Sequence, residues 1–457
     1  MAQFSVSSEI NKLILIVLIS CCAVGSKAQQ EYALHFNRKM AQSTFTNPAF
    51  LSEHKVVLSL PSIVYNYGNN AFSYNDLVKK DPLDDSTYLN IDGVIGQMRD
   101  KNQLQFQSYL DWFSLYISFK KWQFSFNVTE KIDFKFKYTK DMISLLWNGN
   151  AQYIGQEIEI GPALNFQVYK EYGFRFARHF DKFDVGLRFK LLNGLANIYS
   201  VQNSMKLSTG SVNYSSNLNT DYEIRESGLR DFEANQFLPF SNSPNKGYAF
   251  DLGAVYRLNE KWEFTASVID LGRIKWTDSV RIHKSNGSFS FQGVDINEFI
   301  SEEEFNTQAF EDSIADLYFE TEEGRSYISN LVPKSYFSAS FHPDAATTFG
   351  ALIHMEYFDG IQPGVSIYAG RNFTDYFQMG LSYAYKNRRF DNLGLNLNIG
   401  MPAFTIYLVT DNLFNILRPG YGRNLTIRYG MNISLGKLGE RKKKDNEEAE
   451  DKAEEIL

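Results

Sequence analysis

Six histidines are the side chains best suited to acid–base or metal chemistry at neutral pH. They are His35, His54, His179, His283, His342 and His354. None has the spacing of a metal-binding motif, and the sequence contains no HExxH, Walker A, GxGxxG or GxSxG pattern. A Ser-His hydrolase stays open only because a catalytic triad is assembled in space rather than along the chain. The sequence therefore predicts no enzyme, no cofactor and no metal site.

His342 and His354 fall on the polar faces of two adjacent predicted strands. They could meet inside a barrel, although two ordinary polar side chains are the simpler interpretation. A second group of interest is the acidic segment 284–331, which also carries several aromatic residues. Its carboxylates could hold calcium, but they lack the spacing of an EF-hand loop. A solvated loop with a short helix explains the same composition, as does a lid over the barrel mouth or a surface for a partner.

The first 28 residues are predicted to be a signal peptide. Lys12 supplies the positive flank, residues 13–20 form the apolar region, and residues 26–28 (Ser-Lys-Ala) form a cleavage site. The apolar region is too short for a membrane-spanning helix, which needs about 20 residues. Alternatively, residues 18–21 (Leu-Ile-Ser-Cys) form a lipoprotein signal in which Cys21 is acylated. We favour ordinary cleavage after residue 28.

Cleavage removes the only cysteines, Cys21 and Cys22, so the mature chain has neither a disulfide nor a thiol site. It also removes Glu9, Lys12 and Lys27, which changes the formal net charge from -7 to -8. An acidic chain of this kind is not expected to bind nucleic acid.

Strict alternation of apolar and polar residues organises the rest of the chain. In the last predicted strand, every second residue is apolar: Leu425, Ile427, Tyr429, Met431, Ile433 and Leu435. A period of two places these side chains on one face of an extended strand, whereas a helix would scatter them. The same pattern recurs in consecutive segments from residue 333 onward and again between residues 113 and 192. It predicts an antiparallel meander.

The fold predicted from this pattern is all-β: a transmembrane antiparallel up-and-down β-barrel whose apolar face contacts lipid. We count 18 strands, including two weak ones near residues 201–207 and 212–224, and, because neighbouring segments can merge, expect an even number from about 14 to 18. An even number places both termini in the periplasm of a Gram-negative cell. The long segments 66–111, 225–246 and 284–331 then all lie on the extracellular side. Side chains expected in the polar lumen are His342, His354, Asn396, Asn398 and Arg428.

Four regions are predicted along the chain. Residues 1–28 are the signal peptide, 29–54 a hatch-like segment folded into the lumen, 55–436 the barrel, and 437–457 a charged periplasmic tail. The hatch-like segment is too polar for lipid, but its apolar side chains need shelter. We expect Asn47, Pro48 and Ala49 to lie against the inner wall.

The Asn-Pro-Ala sequence near the start of the mature chain resembles FadL-type channels for hydrophobic compounds. It is also similar to the PorV and PorP proteins of the Bacteroidota type IX secretion system. In FadL-like barrels this segment folds into the lumen as a hatch. Three longer segments resemble one Bacteroidota outer-membrane family of unknown function: VGLRFKLLNGLANIY (185–199), GYAFDLGAVYRLNEKWEFTASVIDLGRIKW (247–276) and FTIYLVTDNL (404–413).

These resemblances imply a protein of the outer membrane with one of two functions. The first is a FadL-like channel that passes a hydrophobic small molecule passively. The second is a non-transporting barrel that scaffolds a secretion or surface-assembly complex and binds a periplasmic or surface protein. An apolar lumen would favour the channel, whereas a lumen filled with charged side chains would favour the scaffold. A barrel hydrolase is the remote third hypothesis.

Overall fold

A computed structural model describes residues 32–212, 214–229, 238–291, 320–358, 360–386 and 389–438. The predicted signal peptide, the charged tail beyond residue 438 and the acidic stretch 292–319 lie outside the described residues.

The strands, numbered in chain order, have the following bounds. They are β1 (His54–Ser59), β2 (Ser62–Asn69), β3 (Val78–Lys80), β4 (Thr87–Leu89), β5 (Lys101–Phe119), β6 (Trp122–Thr139), β7 (Glu157–Glu159), β8 (Ala163–His179), β9 (Phe183–Thr209), β10 (Ser216–Ser227), β11 (Asn245–Arg257), β12 (Trp262–Trp276), β13 (Arg281–Phe291), β14 (Glu320–Glu323), β15 (Tyr327–Asn330), β16 (Lys334–Phe341), β17 (Thr347–Tyr357), β18 (Ile361–Asn372), β19 (Phe377–Lys386), β20 (Arg389–Met401), β21 (Phe404–Thr410) and β22 (Asn424–Lys437).

Helices are few and short in the described part of the chain. The α-helices are Tyr32–Phe36, Tyr74–Leu77, Ile91–Gln97, Lys140–Asn148 and Leu413–Leu417, and the 3-10 helices are Ala41–Phe45 and Ala151–Tyr153. Among the described residues, no helix combines the length and apolar character that a helical membrane crossing requires.

The main sheet closes into a 14-stranded antiparallel barrel. β1 and β2 are the two halves of the first wall strand, interrupted at Leu60 and Pro61, and both pair with β22 and with β5. The wall continues through β6, β8, β9, β11, β12 and β16 to β22, each antiparallel to the next. Because β22 pairs with the first strand, the sheet closes on itself and the predicted fold class is confirmed.

The wall has apolar side chains on its outer face and polar side chains on its inner face, which is the reverse of a soluble barrel. On β18, Ile367 is 62% exposed on the outer face, whereas its neighbour Ser366 is only 4% exposed inside. Val365 and Ile361 also point outward and are exposed. Successive side chains of a strand point to opposite faces, so the alternation in the sequence becomes an apolar exterior and a polar lumen.

The two rims of the barrel differ. At one rim, called the short-turn rim, tight turns join β5 to β6, β11 to β12 and β20 to β21, and His54 of β1 lies opposite Lys437 of β22. The other rim, called the long-loop rim, carries the helices from Tyr74 onward and the strands that do not belong to the wall. There β9 continues beyond the wall and pairs with β10, which in turn pairs with β13.

Two details of the predicted strands are wrong. The count of 18 included a strand near residues 201–207, which is part of the 27-residue strand β9, and one near 212–224, which is β10 and lies outside the wall. The long segment predicted over residues 66–111 is too long, because residues 101–111 form the first half of β5. A bulge between Asp111 and Phe113 shifts the apolar positions of β5 from even to odd numbers, which hides the strand from a test for strict alternation.

Candidate functional site

The N-terminal segment occupies the barrel lumen, as the sequence predicted. Residues 32–50, called here the lumen plug, contain the helix Tyr32–Phe36 and the 3-10 helix Ala41–Phe45. Nearly all of these residues are buried, including polar ones such as Gln42 and Asn47. Burial of so many polar groups is favourable only when their hydrogen bonds are satisfied by the wall.

Asn47 fixes the end of the lumen plug against the inner wall. Its Oδ1 accepts a hydrogen bond from the backbone N–H of Ala49 at 2.9 Å, which closes a local turn around Pro48. Its Nδ2 donates to the carbonyl oxygens of Ala254 on β11 and Ala266 on β12, at 3.2 and 3.3 Å. The side chain therefore joins its own turn to two neighbouring wall strands.

Two wall glycines permit this close approach. A Cβ atom on Gly186 would lie 2.1 Å from the carbonyl oxygen of Pro48, and one on Gly253 would lie 2.0 Å from Asn47 Oδ1. Any side chain at either position would displace the turn. Arg175 completes the contact, because its Nε donates to the Pro48 carbonyl at 2.5 Å and its Nη2 donates to the carbonyl of Phe50.

The opposite end of the lumen plug is held by Asp411, just beyond the end of β21. Its two carboxylate oxygens accept the backbone N–H groups of Tyr32 and Ala33, each at 2.9 Å. Asn396 donates from Nδ2 to the carbonyl oxygen of Ala33 at 3.0 Å and to the hydroxyl of Tyr368 at 3.1 Å. The first turn of the segment is thereby tied to β18, β20 and the end of β21.

Paired amides hold the middle of the lumen plug. Asn37 and Asn398 exchange hydrogen bonds of 3.0 and 2.8 Å, and Gln42 and Asn432 exchange bonds of 2.8 and 2.9 Å. Each amide in these pairs acts as both donor and acceptor, so the pairs satisfy buried groups on both sides without any charge. Asn398 had been expected in the lumen from the alternation alone.

Arg428 belongs to a buried ion pair in the lumen. Its Nη1 lies 2.8 Å from Asp111 Oδ2, and Ser62 and Thr129 donate hydrogen bonds to the same carboxylate. The guanidinium also lies 5.4 Å from the ring centre of Phe45 in the lumen plug. The carboxylate and its donors come from four wall strands, so this pair joins the first strands of the barrel to the last.

His342 and His354 do not meet. His354 is fully buried on β17, where its ring centre lies 5.4 Å from that of Tyr32 and 4.7 Å from that of Tyr336. His342 follows the end of β16 at the short-turn rim, and its Nδ1 lies 3.1 Å from Thr348 Oγ1. The register pairs His354 with Tyr336, six residues before His342, which corresponds to about 20 Å along a strand.

A network of buried charges, called here the lumen charge cluster, lies beside the lumen plug. Its members come from β6, β8, β9, β11, β12 and β16: Lys131, Glu171, Arg188, Lys190, Asp251, Asp270 and Lys334. Lys190 is central, because its Nζ lies 2.7 Å from Asp251 Oδ1, 2.6 Å from Asp270 Oδ1 and 3.7 Å from Glu171 Oε2. Lys131 reaches Glu171 at 2.7 Å.

A bulge between β11 and β12 shapes the cluster. The strand register shifts between Phe250 and Leu252, and Asp270 opposite has a φ of +61°, an uncommon conformation for a residue other than glycine. The backbone N–H of Asp270 donates to Asp251 Oδ1 at 2.8 Å. This arrangement directs both carboxylates toward Lys190. Sequence reasoning missed the cluster, because its members are separated by up to 203 residues, from Lys131 to Lys334.

The lumen charge cluster leaves little free space. A cavity of about 20 Å³ lies beside it, lined mainly by polar residues such as Gln107, Asp133, Asn165 and Lys334. That volume suits a single water molecule. Nearby, Lys135 and Glu356 form a further buried ion pair. In the part of the chain that the structure describes, the interior is thus occupied by the plug and paired charges rather than by an apolar passage.

The barrel wall is incomplete next to Asp411. β21 has only seven residues, whereas its neighbours β20 and β22 have 13 and 14. Above Thr410 the space between these neighbours is taken by the helix Leu413–Leu417, whose Phe414 and Leu417 are exposed on its outer side. Asn412 and Asn415 fasten this segment to the flanking strands. Asn412 donates from Nδ2 to Asn392 Oδ1 at 3.0 Å, and Asn415 donates from Nδ2 to the carbonyl oxygen of Asn424 at 2.7 Å.

Solved structures that resemble this chain include a FadL homologue from Pseudomonas aeruginosa. It is 11% identical, with 90% of this chain and all of that chain covered and a TM-score of 0.42. The toluene transporter TodX from Pseudomonas putida is 8% identical, with 90% of this chain and 94% of TodX covered and a TM-score of 0.38. The toluene transporter TbuX from Ralstonia pickettii is 9% identical, with 91% of this chain and 97% of TbuX covered and a TM-score of 0.34.

No curated protein matches this chain. The model of one protein family matches residues 48–411, from the Asn47–Ala49 turn of the lumen plug to the Asp411 that holds its other end. The match covers most of the chain, and this protein therefore belongs to the family of unknown function DUF5723.

Proposed function

We propose that this protein is a closed outer-membrane barrel that acts as a non-transporting scaffold for a secretion or surface assembly. The observation that carries the proposal is the content of the lumen: a hydrogen-bonded plug and buried, paired charges. A passive channel for an apolar molecule needs an apolar path, and the described interior offers ion pairs instead. Both termini face the periplasm in this proposal, so the charged tail is available there to a partner.

Energetics support a closed resting state. Removing one partner from a buried ion pair costs about 3–5 kcal/mol, because the other charge is left without compensation. An apolar solute that passed through the lumen charge cluster would have to separate Lys190 from Asp251 and Asp270 at the same time. The hydrogen bonds of Asn47, Asp411 and the amide pairs would also have to break before the lumen plug moved. These costs oppose spontaneous opening.

Conductance measurements in planar lipid bilayers test this proposal. We expect the intact mature protein to give no steady conductance. Deletion of residues 29–50 removes the lumen plug without removing any wall strand, so we expect that variant to conduct water and ions past the lumen charge cluster. Deletion of residues 441–457, which lie beyond the last strand, is the matched control and should stay silent. Steady conductance by the intact protein would refute a closed scaffold.

Passage of a hydrophobic small molecule, as in FadL-type channels, is the second candidate. The gap in the wall above Thr410 favours it, because a movable segment there would join the lumen to the lipid phase. This route requires the helix Leu413–Leu417 to leave the wall, and Asn412 and Asn415 oppose that movement. A barrel hydrolase has no comparable observation in its favour.

Transfer of a pyrene-labelled fatty acid into proteoliposomes separates the two candidates. The channel requires the intact protein to accelerate transfer over protein-free liposomes, and replacing Asn412 and Asn415 by alanine to accelerate it further. The scaffold requires all three rates to be equal. The exposed pair Asp84→Ala and Asp85→Ala serves as a control, since both residues lie in the loop between β3 and β4 and not in the segment that fills the gap.

A further inference from the structure

Three cations lie together on the outer face of the wall, where β11 and β12 approach the long-loop rim. They are Lys246 on β11 and Arg273 and Lys275 on β12, and all three are exposed. Lys246 lies directly opposite Lys275 in the β11–β12 register, and Arg273 lies opposite Tyr248. Residues opposite each other in an antiparallel pair share a face, so the three side chains form one patch, called here the outer cation patch.

The outer cation patch lies at the level where the apolar exterior ends. Leu271 precedes it on β12, and Tyr248 and Phe250 follow it on β11, each about 40% exposed on the outer face. From Trp262 at the short-turn rim to Arg273, β12 extends about 36 Å, or about 28 Å along the barrel axis for a tilt of about 40°. The apolar band of a membrane barrel is about 25 Å tall, which places the patch at the level of the lipid headgroups.

Two of the three cations have only uncharged partners. Lys246 donates from Nζ to Asn193 Oδ1 at 2.9 Å and to Asn242 Oδ1. Arg273 donates from Nε and Nη2 to the hydroxyl of Tyr248 at 3.1 and 2.8 Å, which leaves its Nη1 group free to donate. These contacts orient the two side chains without neutralising their charge.

Lys275 has no partner at all. Among the described residues, its amine forms neither a hydrogen bond nor an ion pair, although Asp278 follows it closely in the chain. It also faces Lys246 directly across the strand pair, and like charges in that position are destabilising. The outer cation patch therefore carries positive charge that the described part of the protein does not balance.

We propose that the outer cation patch binds a membrane lipid whose headgroup ends in a phosphate monoester. Lys275 and the Nη1 group of Arg273 donate to the phosphate oxygens, and guanidinium and ammonium groups form strong hydrogen bonds with phosphate. The exposed apolar side chains of Leu271, Phe250 and Ile328 contact the acyl chains of the same lipid.

Charge and position select this occupant. A phosphate monoester carries about −1.5 to −2 at pH 7, so it balances a cluster of cations. The phosphodiester of a zwitterionic lipid is already balanced by its own ammonium group. A soluble anion would gain nothing from the apolar surface beside the patch. The site is independent of the scaffold and channel proposals, because it lies on the outer face of the wall.

Native mass spectrometry of the mature protein, released from detergent micelles, counts the lipids that stay bound. The probes are dioleoyl phosphatidic acid and dioleoyl phosphatidylcholine, which have the same acyl chains and differ only in the headgroup. We expect saturable binding of phosphatidic acid, at least about tenfold tighter than that of phosphatidylcholine. Inorganic phosphate is added as a competitor and should displace the lipid only in large excess.

The double variant Arg273→Gln and Lys275→Gln should bind phosphatidic acid about thirtyfold more weakly. Each basic residue near an anionic lipid surface contributes roughly fivefold, and the variant removes two of them. Lys101→Gln is the matched control, since Lys101 is an exposed cation at the long-loop rim on β5, which β6, β8 and β9 separate from β11. All the replaced side chains are exposed, and the electrophoretic shift on heating verifies that each variant is folded.

Binding of phosphatidic acid that is weakened in the double variant and kept in Lys101→Gln supports the site. Equal binding of the two lipids, or unchanged binding in the folded double variant, would overturn it. Full displacement of the lipid by equimolar inorganic phosphate would also overturn it, because the patch would then recognise a soluble anion.

Discussion

Replacing Asp411 by alanine is expected to release the first turn of the lumen plug. The carboxylate accepts the N–H groups of Tyr32 and Ala33, and both residues are fully buried. Hydrogen bonds to a charged group contribute about 1.5–3 kcal/mol each, so the loss of both weakens docking by about 3–6 kcal/mol. Because 1.4 kcal/mol corresponds to a factor of ten, the undocked population should rise roughly 10²- to 10⁴-fold.

Maleimide labelling of a reporter cysteine measures this release. The reporter replaces Ala33 in a chain without Cys21 and Cys22, as the mature protein is expected to be. If undocking limits access, the labelling rate rises with the undocked population, by the factor given above. Asp411→Asn keeps one acceptor oxygen and should have an intermediate effect. Asp344→Ala, in an exposed turn at the short-turn rim, should have none.

The reasoning fails if the Asp411→Ala protein labels at the rate of the parent while its barrel stays folded. Folding is checked independently by the electrophoretic shift that folded barrels show before and after heating. An unfolded Asp411→Ala barrel would also label fast, so retention of the electrophoretic shift by that variant is what separates release of the lumen plug from loss of the fold.

Three further outcomes are expected. Ile367→Arg should cost about 2–4 kcal/mol in urea unfolding from lipid vesicles, because it places a charge on the lipid face, and equal stability would contradict the orientation of the barrel. Lys190→Met should cost about 3–5 kcal/mol, because it removes the nearest cation from Asp251 and Asp270, and adding Asp251→Asn should restore part of that stability. Although burial raises the pKa of Asp76, hydrogen bonds from its helix cap and from Arg423 lower it to about 2. The stabilisation is therefore complete above the ordinary pKa of 3.8 and lost as pH falls toward 2, and Arg423→Gln should raise the pKa measured by NMR titration.

The wall strands were predictable because their signal is local. Each alternating segment shows its apolar face within about ten residues, which is enough to identify it as a strand with one apolar and one polar face. The missed half of β5 lies where a bulge breaks the period. In β5, Leu104 and Phe106 point outward at even positions, but Phe113 and Leu115 point outward at odd ones, because Trp112 lies in a bulge. A test for one fixed period splits such a strand or misses its first half.

The polar character of the lumen was predictable from the sequence, but the contacts within it were not. Alternation indicated that Asn396, Asn398 and Arg428 face inward, but it did not give their partners. Those partners depend on strand register around the whole barrel and on the path of the lumen plug. Arg428 pairs with a carboxylate 317 residues earlier in the chain, and Asp411 with an N–H group 379 residues away. The number and spacing of charges in one sequence do not determine which of them meet.

Asp411 connects the lumen plug with the gap in the wall. It accepts two N–H groups of the plug, and it directly precedes the segment that fills the gap above Thr410. Withdrawal of the plug would leave this buried carboxylate without those donors, which favours movement of the carboxylate toward water. Such movement pulls on Asn412 and the helix Leu413–Leu417. Coupling between two sites is reciprocal, so displacement of that helix must equally loosen the plug.

A double-mutant cycle between Asp411→Ala and Asn415→Ala, read out by labelling at position 33, should therefore show a non-additive effect. Strict additivity would mean that the gap and the plug move independently.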